Sequence, residues 1–262
     1  MTEKMDGLTA LVTGASRGIG EEIAKRFARD GAHVFVTART LEEGDHVFPG
    51  SIRATVQAIR DAGGSAEAVA ADLGRPEDRD RLVETTGPVD ILVSNAAITY
   101  FEPVLDFSES HYRLMFEVQV RAPFELAQRY LPGMKERGRG WILNISSGAA
   151  IHPEGPPYQR RMGGGTVYGM CKAALERFTT GLAAEVWDDN VAVNVLSPSG
   201  LVLTPGVVHH KLDQFTPKDR HEPVSYMAEA AFALCTGDPK VLTGKVTYAK
   251  PILTELGIAL PA

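Results

Sequence analysis

A chain of 262 residues that is 44% hydrophobic and 23% charged has the apolar material for one large core and an ordinary surface. Its net charge of −6 lacks the basic footprint of a nucleic-acid binder, and no apolar run approaches the roughly 20 residues of a membrane span. The first ten residues do not read as a signal peptide, the final Leu-Pro-Ala is neither a prenylation nor a peroxisomal signal, and Cys171 and Cys235 supply no disulfide framework or zinc spacing, so the expectation is one cytoplasmic domain over residues 1–262 with no metal.

Leu8 to Thr13 is an apolar run of strand length, and Ile19, Ile23, Ala24, Phe27 and Ala28 recur at helical spacing up to Asp30. Between them lies Gly14-Ala15-Ser16-Arg17-Gly18-Ile19-Gly20, so the order predicts strand, phosphate turn, helix. Gly14 suits a tight turn, Gly18 lets backbone approach a pyrophosphate, Gly20 lets the helix lie close on the sheet, and the helix N-terminus offers unpaired N–H groups. Gly31 is placed for a C-cap, and His33 to Ala38 reads as a second strand. An acid beyond that strand would bind the free 2′-hydroxyl of NAD, whereas a cation suits the 2′-phosphate of NADP. Arg39 stands there, with Arg17 as a second cation, which favours NADP and leaves NAD possible; the plainer alternative is two solvated surface charges.

A loop from Leu41 to Gly50 precedes a helix from Ser51 to Ala62, stopped by Gly63-Gly64, and Ala66 to Ala70 is a third strand. Asp72 follows, placed for a turn or a helix cap. Pro76 opens a helix to Glu84, and Val89 to Val93 is a fourth strand ending in Ser94-Asn95-Ala96-Ala97, where Asn95 can brace neighbouring backbone. Ser108 caps a long helix predicted through Arg129. The fifth strand, Gly140 to Ser147, is apolar until it ends in two serines, where the crevice over a parallel sheet opens. A loop rich in proline and glycine runs to Thr166, with Tyr158, Arg160 and Arg161 as pocket or surface residues. The next helix, to Trp187, carries Tyr168 and Lys172 one turn apart, so that an ammonium can pull the phenol toward neutral pKa; Cys171 between them reads as packing.

Val191 to Leu196 is a sixth strand, residues 206–222 mix His209, His210 and His221 without periodicity or metal spacing, Val224 to Leu234 is a helix and Lys245 to Tyr248 a seventh strand. The alternation predicts an α/β, doubly wound Rossmann domain, a parallel sheet of about seven strands covered on both faces, with a lid around 201–223.

The T-G-x-x-x-G-x-G turn, the Ser94–Ala97 strand end, Val118 to Phe124, the serine at 147, Y-x-x-x-K at 168–172 and Ser197 to Pro205 together resemble the compact short-chain dehydrogenase/reductase family over Leu8 to Pro205. The resemblance implies an oxidoreductase moving hydride between NADP(H) and a carbonyl or secondary alcohol. It makes Tyr168 the general acid/base and Ser147 the carbonyl-binding hydroxyl, with Ser146 its competitor. Lys172 would lower the Tyr168 pKa and hold the nicotinamide ribose. Gln119 occupies the place of the family's asparagine, anchoring a relay water or serving structure alone. The cofactor contacts implied are Gly14, Ser16, Arg17, Gly18, Ile19, Gly20, Arg39, Asp72 (adenine), Leu73, Asn95, Ala96, Tyr168, Lys172, and Val202 with Thr204 (nicotinamide carboxamide), the register slipping by one at Ser199-Gly200. Ile98, Tyr100, Phe101, His152, Tyr158 and Val202 suggest an apolar or aromatic small-molecule substrate, and the family implies a homo-oligomer, tetramer or dimer. Two alternatives are a nucleotide-binding regulatory protein on the same fold with weak or no turnover, and an epimerase or dehydratase, against which the compact length argues.

Overall fold

The computed structural model describes residues 4–158 and 164–261. Seven strands form one sheet in the order β3-β2-β1-β4-β5-β6-β7, every neighbouring pair parallel. They are β1 (Thr9–Thr13), β2 (His33–Ala38), β3 (Ser65–Ala70), β4 (Ile91–Ser94), β5 (Gly140–Ile145), β6 (Val191–Ser197) and β7 (Val246–Tyr248). The order reverses between β1 and β4, and there the carboxyl ends of the strands open a crevice.

The central strands are buried on both faces because the helices divide between them. On one face α1 (Gly18–Arg29) and α2 (Ile52–Asp61) join the later helices α8 (Val224–Thr236) and α9 (Ala249–Glu255) around Ile23, Phe27, Ile91, Leu143 and Ile252. On the other, α3 (Pro76–Thr86), α5 (Ala122–Arg137) and α6 (Thr166–Glu185) pack Leu82, Leu126 and Leu182 onto Leu11, Leu92 and Ile142.

The long helix expected from Ser108 is found, but not as one regular element. Ser108 caps α4 (Glu109–Phe116) by accepting the His111 N–H, then Glu117–Arg121 forms a π-helical turn before α5 resumes. One extra residue per turn leaves no trace in a 3.6-residue pattern. Helix α5 also runs past Arg129 and through Pro132 to a left-handed Gly138, since Tyr130 and Met134 continue its buried stripe. The other difference is α9, which seals the sheet after β7 with Ala249, Ile252 and Leu253. Residues 205–220 carry three short helical pieces, α7 (Pro205–His209) and two 3₁₀ turns, rather than irregular chain. No helix among the described residues is long and apolar enough to cross a membrane.

Candidate active site and dinucleotide crevice

The turn after β1 is built around absent side chains. Gly14 and Gly18 have φ of +65° and +61°, which an L side chain resists, and a Cβ on Gly14 would fall 2.7 Å from the Ala96 Cα. A Cβ on Gly20 would strike the Asn95 amide and the Gly14 carbonyl, so this glycine admits the end of β4 to the turn. Asn95 fills the space, donating Nδ2 to the carbonyls of Thr13 (2.9 Å) and Gly14 (3.1 Å), while the Thr13 hydroxyl accepts the N–H groups of Asn95 and Ala96. The fixed turn leaves backbone at the N-terminus of α1 facing the crevice, a cradle that fits a pyrophosphate. Ser16 is buried, and Ile19 packs against the core.

Arg17 turns toward the 41–50 loop. Its Nε donates to the Pro49 carbonyl at 2.8 Å, and its Nη2 reaches the Gly50 carbonyl (2.7 Å), the Phe48 carbonyl and the Thr40 hydroxyl (both 3.3 Å). Arg39 is exposed just beyond β2. Asp72 makes a turn, accepting the Gly74 N–H at 2.9 Å, while its own N–H goes to the Asp78 carboxylate. Leu73 beside it is buried.

At the end of β5 the two serines part company. Ser146 is buried and donates to Glu176 on α6 at 2.8 Å. Ser147 accepts the Ala149 N–H, and its hydroxyl lies beside the Tyr168 phenol. Lys172, 3% exposed, donates Nζ to the Ile145 carbonyl at 2.9 Å and lies 5.6 Å from the centre of the Tyr168 ring. Ser147, Tyr168 and Lys172 therefore meet where β5 ends against the first turns of α6.

Their electrostatics correct one expectation. Burial pushes the Tyr168 phenol up from its ordinary value, and the neighbouring Ser147 hydroxyl offsets that only in part. Lys172 does not set the direction, because burial pulls its own ammonium down to about 8. Cys171 packs with Met115 and Val167, its thiol pushed up to about 11 by burial, as a packing residue should be.

Gln119 sits in the π turn, 1% exposed, donating Nε2 to the Ile98 carbonyl at 2.8 Å while Oε1 has no partner among the described residues. The turn is clamped by Arg79, whose buried guanidinium bonds Glu117 (2.8 Å), Glu125 (2.6 Å) and the Leu73 carbonyl. Nothing in the local sequence announces this ion-pair cluster, which spans three elements.

Val202 is buried, and Thr204 caps α7 by accepting the Val207 N–H, its methyl group 3.0 Å from where a Gly18 Cβ would be. Leu201 bridges to His221, and a Cβ on Gly200 would strike the Arg220 carbonyl, so the glycine is needed at 200. Of the expected pocket residues, Ile98 and Tyr100 pack, as Tyr168 does, against the cluster of Met115, Val167 and Cys171, and the Phe101 ring lies 6.0 Å from that of Tyr168. His152 and Tyr158 are exposed. Arg160 and Arg161 lie outside the described residues. Sequence reasoning passed over Phe48, His46 and the Glu102–His111 pair (2.9 Å), whose imidazole stacks on Tyr100 at 3.6 Å, because Phe48, His46 and Glu102 lie in aperiodic loops, which give no signal of what they touch.

The fold and this cluster define a dinucleotide-type oxidoreductase scaffold, and comparison with known proteins gives the family. The model of the short chain dehydrogenase family matches residues 8–214, and the chain belongs to that family. It is 33% identical over 252 residues to "Dehydrogenase/reductase SDR family member 4" of Sus scrofa, covering 93% of this chain and 81% of that protein. It is also 33% identical to L-xylulose reductase of Bos taurus, covering 78% of this chain and 76% of that one. Among solved structures, a 3-oxoacyl (acyl-carrier-protein) reductase from Agrobacterium tumefaciens C58 with NADP bound superposes with a TM-score of 0.80 at 29% identity, covering 94% of each chain.

Proposed function

We propose that this protein reversibly reduces a ketone or aldehyde to an alcohol with NADPH, as a single domain whose lid spans residues 201–223. The observation that carries the reading is the meeting of Ser147, Tyr168 and Lys172 at the end of β5. The bound cofactor supplies hydride to the carbonyl carbon. Tyr168 gives its phenolic proton to the carbonyl oxygen, and Ser147 hydrogen-bonds that oxygen as charge develops on it. A phenol that burial keeps protonated is the species reduction needs. Lys172, with one N–H on Ile145, keeps donors for the ribose hydroxyls, and the unpartnered Gln119 Oε1 suits the buried water of a proton relay.

The glycine cradle holds the pyrophosphate, Asn95 and Ala96 line the ribose, and the remaining cofactor contacts fall to Ser16, Ile19, Asp72, Leu73, Val202 and Thr204. A preference for NADP is supported by Arg39 standing where an NAD enzyme would carry an acid. The NADP-bound reductase from Agrobacterium tumefaciens supports the cofactor class. Phe101 beside Tyr168, with Ile98 and Tyr100 on the same apolar cluster, suits an apolar or aromatic substrate. A homo-oligomer is supported by an apolar groove of about 610 Å³ on α4, the π turn, α5 and α6, lined by Tyr112, Phe116, Val120, Phe124 and Phe178.

The test is oxidation of NADPH and of NADH against aliphatic, aromatic and polycyclic ketones. Turnover of at least one class with NADPH preferred is expected. Tight dinucleotide binding with no turnover across the panel would overturn the enzyme reading in favour of a nucleotide-binding regulatory protein.

A further inference from the structure

Basic side chains gather around one ring between the phosphate turn and the lid. Phe48, in the loop between β2 and α2, has the His46 ring at 4.7 Å, the His209 ring at 4.8 Å and the Arg17 guanidinium carbon at 5.8 Å. These groups come from three separate segments: the glycine turn, the 41–50 loop and the end of α7. Arg39 stands just beyond β2, next to Thr40, whose hydroxyl accepts from Arg17 at 3.3 Å. Burial first, then Arg17, Arg39 and His209, push the His46 imidazole below its ordinary value, and Arg17 is lowered by burial with Arg39 acting in the same sense.

The acids of the loop do not neutralise this cluster. Glu42 pairs with Arg53, and Asp45 accepts the Glu42 N–H at 2.8 Å. Glu43 accepts the Gly50 N–H at 3.1 Å and is the loop carboxylate whose charge reaches Arg17. Glu21 on α1 also reaches Arg17, but it is paired with Lys25 at 2.6 Å, so the two arginines face one carboxylate without a cationic partner of its own and an excess of positive potential remains, as a site for a doubly charged anion requires.

We propose that His46 is a further ligand of the cofactor's 2′-phosphate, acting beside Arg39 in a pocket floored by Phe48; this rests on the NADP reading above. The Phe48 N–H donates to His46 Nδ1 at 3.1 Å, so the proton of the neutral ring sits on Nε2, a donor for a phosphate oxygen. Arg17 spends Nε and Nη2 on the carbonyls of residues 48–50. It therefore holds the loop in place and lends its charge, while Arg39, with no carboxylate partner among the described residues, is the guanidinium that can fork onto phosphate. In this arrangement the 41–50 loop is a flap over the phosphate, and its Phe48–His209 contact joins it to the lid.

The test needs no turnover. 2′,5′-ADP, which carries the 2′-phosphate, and 5′-AMP, which lacks it, are titrated calorimetrically into the whole chain, wild type beside His46→Ala and His46→Gln. Wild type is expected to prefer 2′,5′-ADP. His46→Ala should weaken 2′,5′-ADP roughly tenfold, the loss of one hydrogen bond to a charged group, and leave 5′-AMP unchanged. His46→Gln, which restores an N–H donor, should recover most of that loss. A wild-type preference that survives unaltered in His46→Ala overturns the proposal and leaves the NADP reading intact. Equal wild-type affinities for the two nucleotides overturn both.

Discussion

The two neighbouring serines show how one residue's partner decides its chemistry. Ser146 is occupied by Glu176, whereas Ser147 faces Tyr168. Ser147→Ala should therefore lower kcat by about 10²–10³ with little change in melting temperature, the size of losing one donor to a developing oxyanion. Ser146→Ala should do the reverse, costing about 1 kcal/mol of stability and leaving kcat near wild type. Steady-state kinetics and thermal melts of both variants check the assignment, and equal kinetic defects would count against it. Lys172 adds a pH signature. Its ammonium falls from 10.5 to about 8 on folding, so between those values the unfolded chain binds more protons than the folded one. Below pH 8 the buried charge costs about 3 kcal/mol, and that cost fades as pH rises toward 10.5. The stability of wild type relative to Lys172→Met should therefore rise across this window in denaturant titrations; a flat difference would show that the lysine keeps its ordinary pKa when folded.

Elements are where the sequence was most and least informative. The strands were legible because buried parallel strands are short apolar runs, and the phosphate turn because positive φ demands glycine at 14 and 18. The π turn at Glu117–Arg121, the Arg79 clamp and the docking of Phe48 on His209 were not, since each depends on residues far apart in the chain or on an extra residue that periodicity does not record. Helix α9 was hidden by Pro251 and its short length. The clamp yields its own prediction. Arg79→Ala leaves Glu117 and Glu125 only the exposed Arg121 as a partner and should cost about 1–3 kcal/mol in urea denaturation. A loss below 1 kcal/mol would mean the turn holds itself. Gly14→Ala meets both a positive φ and the Ala96 backbone, and should cost about 1–3 kcal/mol while weakening dinucleotide binding.

At the scale of the whole molecule, the sheet brings the ends of β1, β4, β5 and β6 to one crevice, and the apolar groove lies on helices outside it. Phe124 is 49% exposed there and lines that groove. Light scattering should give the wild type a multiple of 28.2 kDa, and Phe124→Arg should shift it toward that single-chain mass; a monomeric wild type would remove the oligomer from the account. The crevice itself is tested by following one atom. With a ketone that the enzyme turns over and NADPH deuterated at nicotinamide C4 on each face in turn, mass spectrometry of the alcohol should find the label on the carbinol carbon from one face alone, with Tyr168→Phe forming product at least a hundredfold more slowly. Label lost to solvent, or a Tyr168→Phe variant working at the wild-type rate, would contradict direct hydride transfer completed by that phenol.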